Sequence, residues 1–156
     1  MAMNMTEYLA EELVMTGLSP EGKTETLELM VDNLVATGRL GADRRDPLIK
    51  KLLEREDLSS TGIGGSVAIP HASGENVDSI QVVMAQLPDG VDFESIDGEP
   101  VHLVFMIVGS DRSPRTHLQL LAMIVRLCKN REMVEKLKSA TDRSEAYKIV
   151  TSDEQG

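Results

Sequence analysis

The chain carries three histidines, His71, His102 and His117, and neutral imidazole is the side chain best suited to move a proton, bind a metal or attack an electrophile near neutral pH. His71 follows Ser66-Val67-Ala68-Ile69-Pro70 and precedes Ala72-Ser73, just after the glycine-rich stretch Thr61-Gly62-Ile63-Gly64-Gly65. Val67 and Ile69 alternate with small residues, as in a strand buried on both faces. Pro70 cannot donate to a sheet ladder, so the strand is expected to stop there and hold His71 at its tip, where a phosphorylatable or catalytic histidine would sit. His117 lies in Thr116-His117-Leu118-Gln119, which has capping-box spacing with Thr116 as N-cap. In a first helical turn, unpaired N–H groups and the positive helix end favour anions and a neutral imidazole. Ser113-Pro114 offers a competing helix start. Arg55 precedes His71 by sixteen residues at the end of a predicted helix, where an arginine ordinarily serves the last carbonyls. His102 opens an apolar run without polar neighbours in sequence and reads as a structural edge residue. The three histidines lack the spacing of a zinc site, and no local signature of a serine or cysteine triad is present.

A second motif competes for attention. Gly17-Leu18-Ser19-Pro20-Glu21-Gly22-Lys23-Thr24 fits the phosphate-cradling pattern G-x-x-x-x-G-K-[ST]. A cradle of that kind is a continuous nest of backbone N–H groups. Here Pro20 removes one donor and Glu21 adds a negative charge, and no apolar strand ending in Asp follows to hold Mg²⁺. Ser19-Pro20 is better explained as an N-cap followed by proline at the first helical position. A small nucleotidase using Lys23 is therefore the remote alternative.

The elements that must position these residues are legible from periodicity. Leu27, Met30, Val31, Leu34 and Val35 recur at helical spacing up to Gly38. A second helix begins near Asp46-Pro47, carries Leu48, Ile49, Leu52 and Leu53 on one side, and has Arg55 and Glu56 in its last turn. Ile80 to Ala85 and Val101 to Val108 read as strands, with turn signals at Asp89-Gly90 and Asp97-Gly98 between them. Helical patterns return at Thr116 to Cys128, Arg131 to Lys138 and Ser144 to Val150. Apolar strands alternating with helices predict an α/β fold, a central mixed and mainly parallel sheet flanked by helices on both faces. Residues 1–156 are expected to form a single domain.

Composition narrows the function classes. The 156 residues carry a formal net charge of −10, which repels nucleic-acid and anionic-membrane phosphates and suits a basic protein partner. Glu75, Asp78 and Asp111 are candidates for the rim of such a docking face. Cys128 is the single cysteine, so no internal disulfide forms, and within its apolar run it reads as a buried, unreactive thiol. Met1 to Glu7 lacks a signal-peptide pattern and no apolar run approaches the length of a membrane span. The expectation is a soluble, cytoplasmic protein with no direct membrane insertion.

Glu56, Leu58-Ser59-Ser60-Thr61-Gly62-Ile63-Gly64 and Val67-Ala68-Ile69-Pro70-His71-Ala72 together resemble the active-site signature of the fructose/mannitol-type enzyme IIA domains. These belong to the bacterial phosphoenolpyruvate-dependent phosphotransferase system and include the nitrogen-regulatory IIA proteins. Phe93-Glu94-Ser95-Ile96-Asp97-Gly98-Glu99-Pro100-Val101 and His117-Leu118-Gln119-Leu120-Leu121 resemble further segments of that family, and the likeness runs from about residue 20 to 150. Two positions depart from it: Gly65 stands where relatives often carry a polar residue, and Ala72 replaces the commoner glycine.

The resemblance implies a phosphocarrier that accepts a phosphoryl group on His71 from an HPr-type phosphohistidine carrier. It would pass the group to a IIB component in sugar phosphorylation and transport, or keep it as a regulatory mark. In the nitrogen-regulatory branch, phosphorylation of His71 would switch the choice of a regulatory target protein. His117 would position the phosphoryl group and Arg55 would balance its charge. No cofactor or metal is implied, since donor and acceptor are both proteins, and no fused IIB or IIC module is expected. The residue chemistry agrees: imidazole with a pKa of about 6.5 is roughly 90% neutral at pH 7.5. If the non-reacting nitrogen of His71 donates to a backbone carbonyl, the tautomer is fixed for attack.

Overall fold

The computed structural model describes residues 4–74, 79–110 and 112–152. Six strands and five α-helices follow two short 3-10 turns at Met5–Glu7 and Glu11–Leu13: β1 (Val14–Met15), α1 (Lys23–Ala36), α2 (Arg45–Leu58), β2 (Gly62–Gly64), β3 (Val67–Ala68), β4 (His71–Gly74), β5 (Gln81–Val91), β6 (Val101–Ser110), α3 (Pro114–Leu127), α4 (Arg131–Ser139) and α5 (Arg143–Ser152). The strands form one sheet in the order β1-β5-β6-β3-β2, with β4 also paired to β6. Successive strand residues point to opposite faces. Because Val82 to Leu87 and Leu103 to Ser110 are all buried, both faces of β5 and β6 are covered. Helices α1, α3 and α4 pack on these two strands, while α2 packs on β4.

The sheet is mixed but mostly antiparallel, which corrects the expectation of a mainly parallel one. Its longest ladder is the antiparallel β5–β6 pair, running from Gln81↔Val108 to Val91↔Val101, and β2 pairs antiparallel with β3. Parallel pairing is confined to the short ladders of β1 with β5 and of β3 and β4 with β6. The reason lies in the connection. Residues 92–100 join β5 to β6 without a helix, and a parallel pair needs a crossover of a dozen or more residues. An apolar run buried on both faces reports covering helices, not strand direction.

Several local expectations also shift. Asp89-Gly90 lies inside β5, where a register irregularity between Gln86 and Val91 and a positive φ of 76° at Gly90 mark a bulge rather than a turn. Asp97-Gly98 does turn, with Gly98 N–H donating to the Ser95 carbonyl at 2.9 Å. Helix α1 begins at Lys23 with Gly22 as N-cap, because the Ser19 hydroxyl donates to Asp89 at 3.1 Å instead of capping the helix. His102 is not at an edge: β6 is an interior strand, and the half-buried ring lies against the bulge at Gly90. Burial pushes the Cys128 thiol up to about 12, so it stays protonated and unreactive. Glu75, Asp78 and Asp111 lie outside the described residues.

Candidate active site

Pro70 interrupts the ladder without ending it. Strand β3 stops at Ala68 and β4 resumes at His71, both running parallel to β6, with His71 opposite Ile107. Pro70 needs only its carbonyl here, which accepts from Ile107 N–H at 2.9 Å. His71 therefore opens a strand segment rather than standing at a strand tip. Its Nδ1 lies 2.9 Å from the Ile69 carbonyl oxygen. A carbonyl only accepts, so Nδ1 carries the proton and Nε2 keeps the lone pair.

That carbonyl is anchored in turn. Ile69 N–H donates to the Thr61 carbonyl at 3.0 Å, and Thr61 is bonded through both its N–H (3.2 Å) and its hydroxyl to the Glu56 carboxylate. Glu56 is buried and is paired with Lys23 Nζ at 3.1 Å. The chain Lys23–Glu56–Thr61–Ile69–His71 thus links α1 and α2 to the imidazole. Lys23, the lysine of the phosphate-cradle motif, is the counter-ion of a buried carboxylate, and its Nζ also lies 3.8 Å from Glu94 and 5.5 Å from the centre of the Phe93 ring.

His117 meets His71 edge-on, with ring centroids 5.8 Å apart and planes inclined by 65°. Helix α3 starts at Pro114 after Ser113, the competing start, so Thr116 is not the N-cap. His117 N–H already bonds the Ser113 carbonyl at 3.1 Å. Its imidazole is nevertheless held neutral to a lower pH than usual, first by burial and then by the charge of His71 when protonated. Its Nδ1 is buried without a hydrogen-bond partner.

Arg55 sits in the last turn of α2, half-buried, and its Nη1 donates to the Ser59 carbonyl at 2.7 Å. Arg55 thus hydrogen-bonds its own helix end, while the ring contact unites His71 with His117. Lys51, one turn earlier, donates to the Ser73 carbonyl of β4 at 3.1 Å. Gly65, at φ 64°, has its N–H bonded to Asp97 and its carbonyl to Arg131 Nη1. That left-handed backbone conformation, which L side chains adopt only with strain, accounts for glycine at this position. Sequence reasoning missed Gly109, against which the His117 ring lies; an isolated glycine in an apolar strand is the signal of such a close approach. Among the described residues no group of three or more His, Cys, Asp or Glu is placed to hold a metal, and no helix is long and apolar enough to cross a membrane.

The family model of the phosphoenolpyruvate-dependent sugar phosphotransferase system, EIIA 2, matches residues 7–153, and the chain belongs to that family. It is an EIIA-type phosphocarrier, a phosphotransferase component that works through phosphorylation of a histidine. It is 30% identical over 148 residues to the nitrogen regulatory protein of Bradyrhizobium diazoefficiens, covering 95% of each chain. To the fructose-specific EIIA component of Haloferax volcanii it is 32% identical over 139 residues, 89% of each. It is 34% identical to the fructose-specific EIIABC component of Bacillus subtilis, but spans only 23% of that protein's length. The fold is shared with the nitrogen regulatory protein IIA-Ntr of Neisseria meningitidis, at a TM-score of 0.85 and 24% identity over 94% of this chain and 99% of that one.

Proposed function

We propose that His71 is the phosphoryl acceptor of this phosphocarrier and that it attacks through Nε2. The observation that carries this reading is the Nδ1–H bond to the Ile69 carbonyl, which in the neutral ring leaves the lone pair on Nε2, beside the imidazole of His117. The donor is a phosphohistidine on an HPr-type protein. A new N–P bond forms at His71 Nε2 as the donor's N–P bond breaks, and the bonding pair returns to the donor imidazole. The phosphoryl group passes to a IIB component by the same exchange, or remains as a mark that a regulatory target protein reads. Such transfer asks for alignment and charge compensation more than for covalent help from the protein. His117 positions the phosphoryl group, and Arg55, on the helix that packs on β4, balances its charge.

Incubation with phosphoenolpyruvate, enzyme I and an HPr-type carrier tests the proposal. Intact mass is expected to rise by one phosphate, about 80 Da, and the gain is expected to vanish in His71→Ala while persisting in His102→Ala. A wild-type chain that stays unmodified with several carriers, or a His71→Ala variant that is still labelled, refutes it. Discharge on adding a IIB domain identifies transfer; capture of a non-transport protein by only one phosphorylation state identifies regulation.

A further inference from the structure

The Nδ1 of His117 is buried without a hydrogen-bond partner, and what it faces decides which nitrogen the ring offers to the phosphoryl group. Strand β4 pairs with β6 so that Ser73 lies opposite Gly109, two residues beyond His71↔Ile107. A Cβ built on Gly109 would fall directly on His117 Nδ1, with Cε1 and Cγ of the same ring next nearest at 3.0 and 3.2 Å. That edge of the imidazole therefore rests on the strand backbone, and Nε2 lies on the remaining side of the ring. The α-hydrogen that Gly109 carries in place of a side chain is aimed at Nδ1.

A neutral imidazole has one N–H, on either nitrogen. Placed on Nδ1 of His117, it would point hydrogen to hydrogen at the Gly109 Cα, buried and with no acceptor, at a cost of about 1–3 kcal/mol. A lone pair in the same place meets a weak C–H donor instead. The proton is thereby driven to Nε2. His71, by contrast, carries its proton on Nδ1 and its lone pair on Nε2. The two rings hold opposite tautomers, one offering a nucleophile and the other an N–H donor.

We propose that Gly109 is a positioning residue for phosphoryl transfer: its missing side chain seats the His117 ring with Nδ1 inward and so presents Nε2–H to the phosphoryl group. The role for the phosphoryl group rests on His71 being the acceptor; the tautomer does not. Any Cβ at position 109 displaces the ring, releases the tautomer and relaxes the burial that keeps the imidazole neutral.

Imidazole nitrogen NMR on the full ¹⁵N-labelled chain at pH 8, without any phosphoryl donor, tests the first part. His117 is expected to show a protonated Nε2 and a bare Nδ1, and His71 the reverse; a proton on Nδ1 of His117 overturns the proposal. In Gly109→Ala, with the circular-dichroism spectrum retained, the titration midpoint of His117 is expected to rise. Phosphorylation of His71 is expected to slow about a hundredfold, the cost of displacing a catalytic contact by about an ångström. In a His117→Ala background the same substitution is expected to slow transfer no further. An equal slowing there assigns Gly109 a packing role and overturns the proposal, as does an unchanged titration. Should Gly109→Ala not fold, the wild-type tautomer still decides. A wild type that shows the expected tautomers but accepts no phosphate refutes the acceptor assignment of His71, not the seating of His117.

Discussion

Replacing Lys23 with methionine removes the cation from a carboxylate that is 2% exposed while keeping the length of the apolar stem. At 3.1 Å the attraction between unit charges is about 5 kcal/mol at an effective dielectric constant of about 20. Some of that is returned, because the Lys23 side chain is 17% exposed and the variant no longer has to desolvate it. Breaking a fully buried pair costs about 3–5 kcal/mol and a surface pair about 0–1 kcal/mol. With one partner buried and the other near the rim, the expected loss for Lys23→Met is about 2–4 kcal/mol. Guanidinium unfolding at pH 7 should show it as a lower midpoint with an unchanged slope, and heating as a drop of about 2–4 °C per kcal/mol. Adding Glu56→Gln removes the stranded charge while leaving an acceptor for Thr61, so the double variant should recover part of the loss. A Lys23→Met stability within about 0.5 kcal/mol of wild type, the surface-pair range, would refute the reasoning and return Lys23 to the pool of free cations.

Other perturbations read other parts of the molecule. His117→Ala should slow phosphorylation of His71 about a hundredfold, measured by quenched-flow and intact mass, with the fold retained. Gln86 is buried, donating through Nε2 to the carbonyls of Leu137, Lys138 and Ala140 and accepting Gly17 N–H through Oε1. Gln86→Leu strands those groups and should cost about 2–5 kcal/mol in denaturant titration. Stability should also fall on acidification. His102 and His117 both have folded pKa values below the usual 6.5; burial comes first in each, Lys138 adds to it and Glu135 opposes it for His102, and His71 adds to it for His117. The unfolded chain then binds protons at higher pH than the folded one, so their contribution is complete above about pH 6.5 and is lost as pH falls through the folded values. Unfolding midpoints from pH 7.5 to 5 should show this slope, and His102→Gln should flatten it.

Elements with a strong period were legible in the sequence, and directions were not. The spacing of Leu48, Ile49 and Leu52 predicts α2, and that helix does run past Arg55, with Asp46 and Pro47 in its first turn. The apolar run from Val101 predicts β6. The antiparallel pairing of β5 and β6 leaves no trace in either strand. It is written in the nine residues between them, which are too few for a crossover and carry a turn at Asp97-Gly98. Weighing connection length above strand hydrophobicity gives the right sheet. Helix starts fail for a different reason: a capping pattern is local, but the competitor for the hydroxyl is not. Asp89 takes Ser19 from seventy residues away.

At the site, residue types were legible and partnerships were not. His71, His117 and Arg55 can be picked out from the chain, and the two imidazoles do meet, whereas nothing in a sequence tells that Lys23 answers Glu56, and the isolated Gly109 signals a close approach without naming His117 as what approaches. Pro70 shows why spacing alone falls short. As a residue without an N–H it predicts the end of a strand, and β3 does end before it. Yet a ladder that loses one donor need not lose its register: the Pro70 carbonyl still accepts from Ile107, and pairing resumes one residue later. The carbonyl before the break serves the site. Ile69 lies between the two paired segments, and His71 bends back two residues to bond its oxygen. Backbone groups of successive strand residues point to opposite sides, so with Pro70 facing β6 the Ile69 backbone faces the Thr61 side, where its N–H is bonded, and its carbonyl is free for the imidazole. The Ile69 carbonyl, anchored through Thr61, therefore fixes the His71 tautomer, while β6 keeps the histidine in register with Ile107 and beside His117.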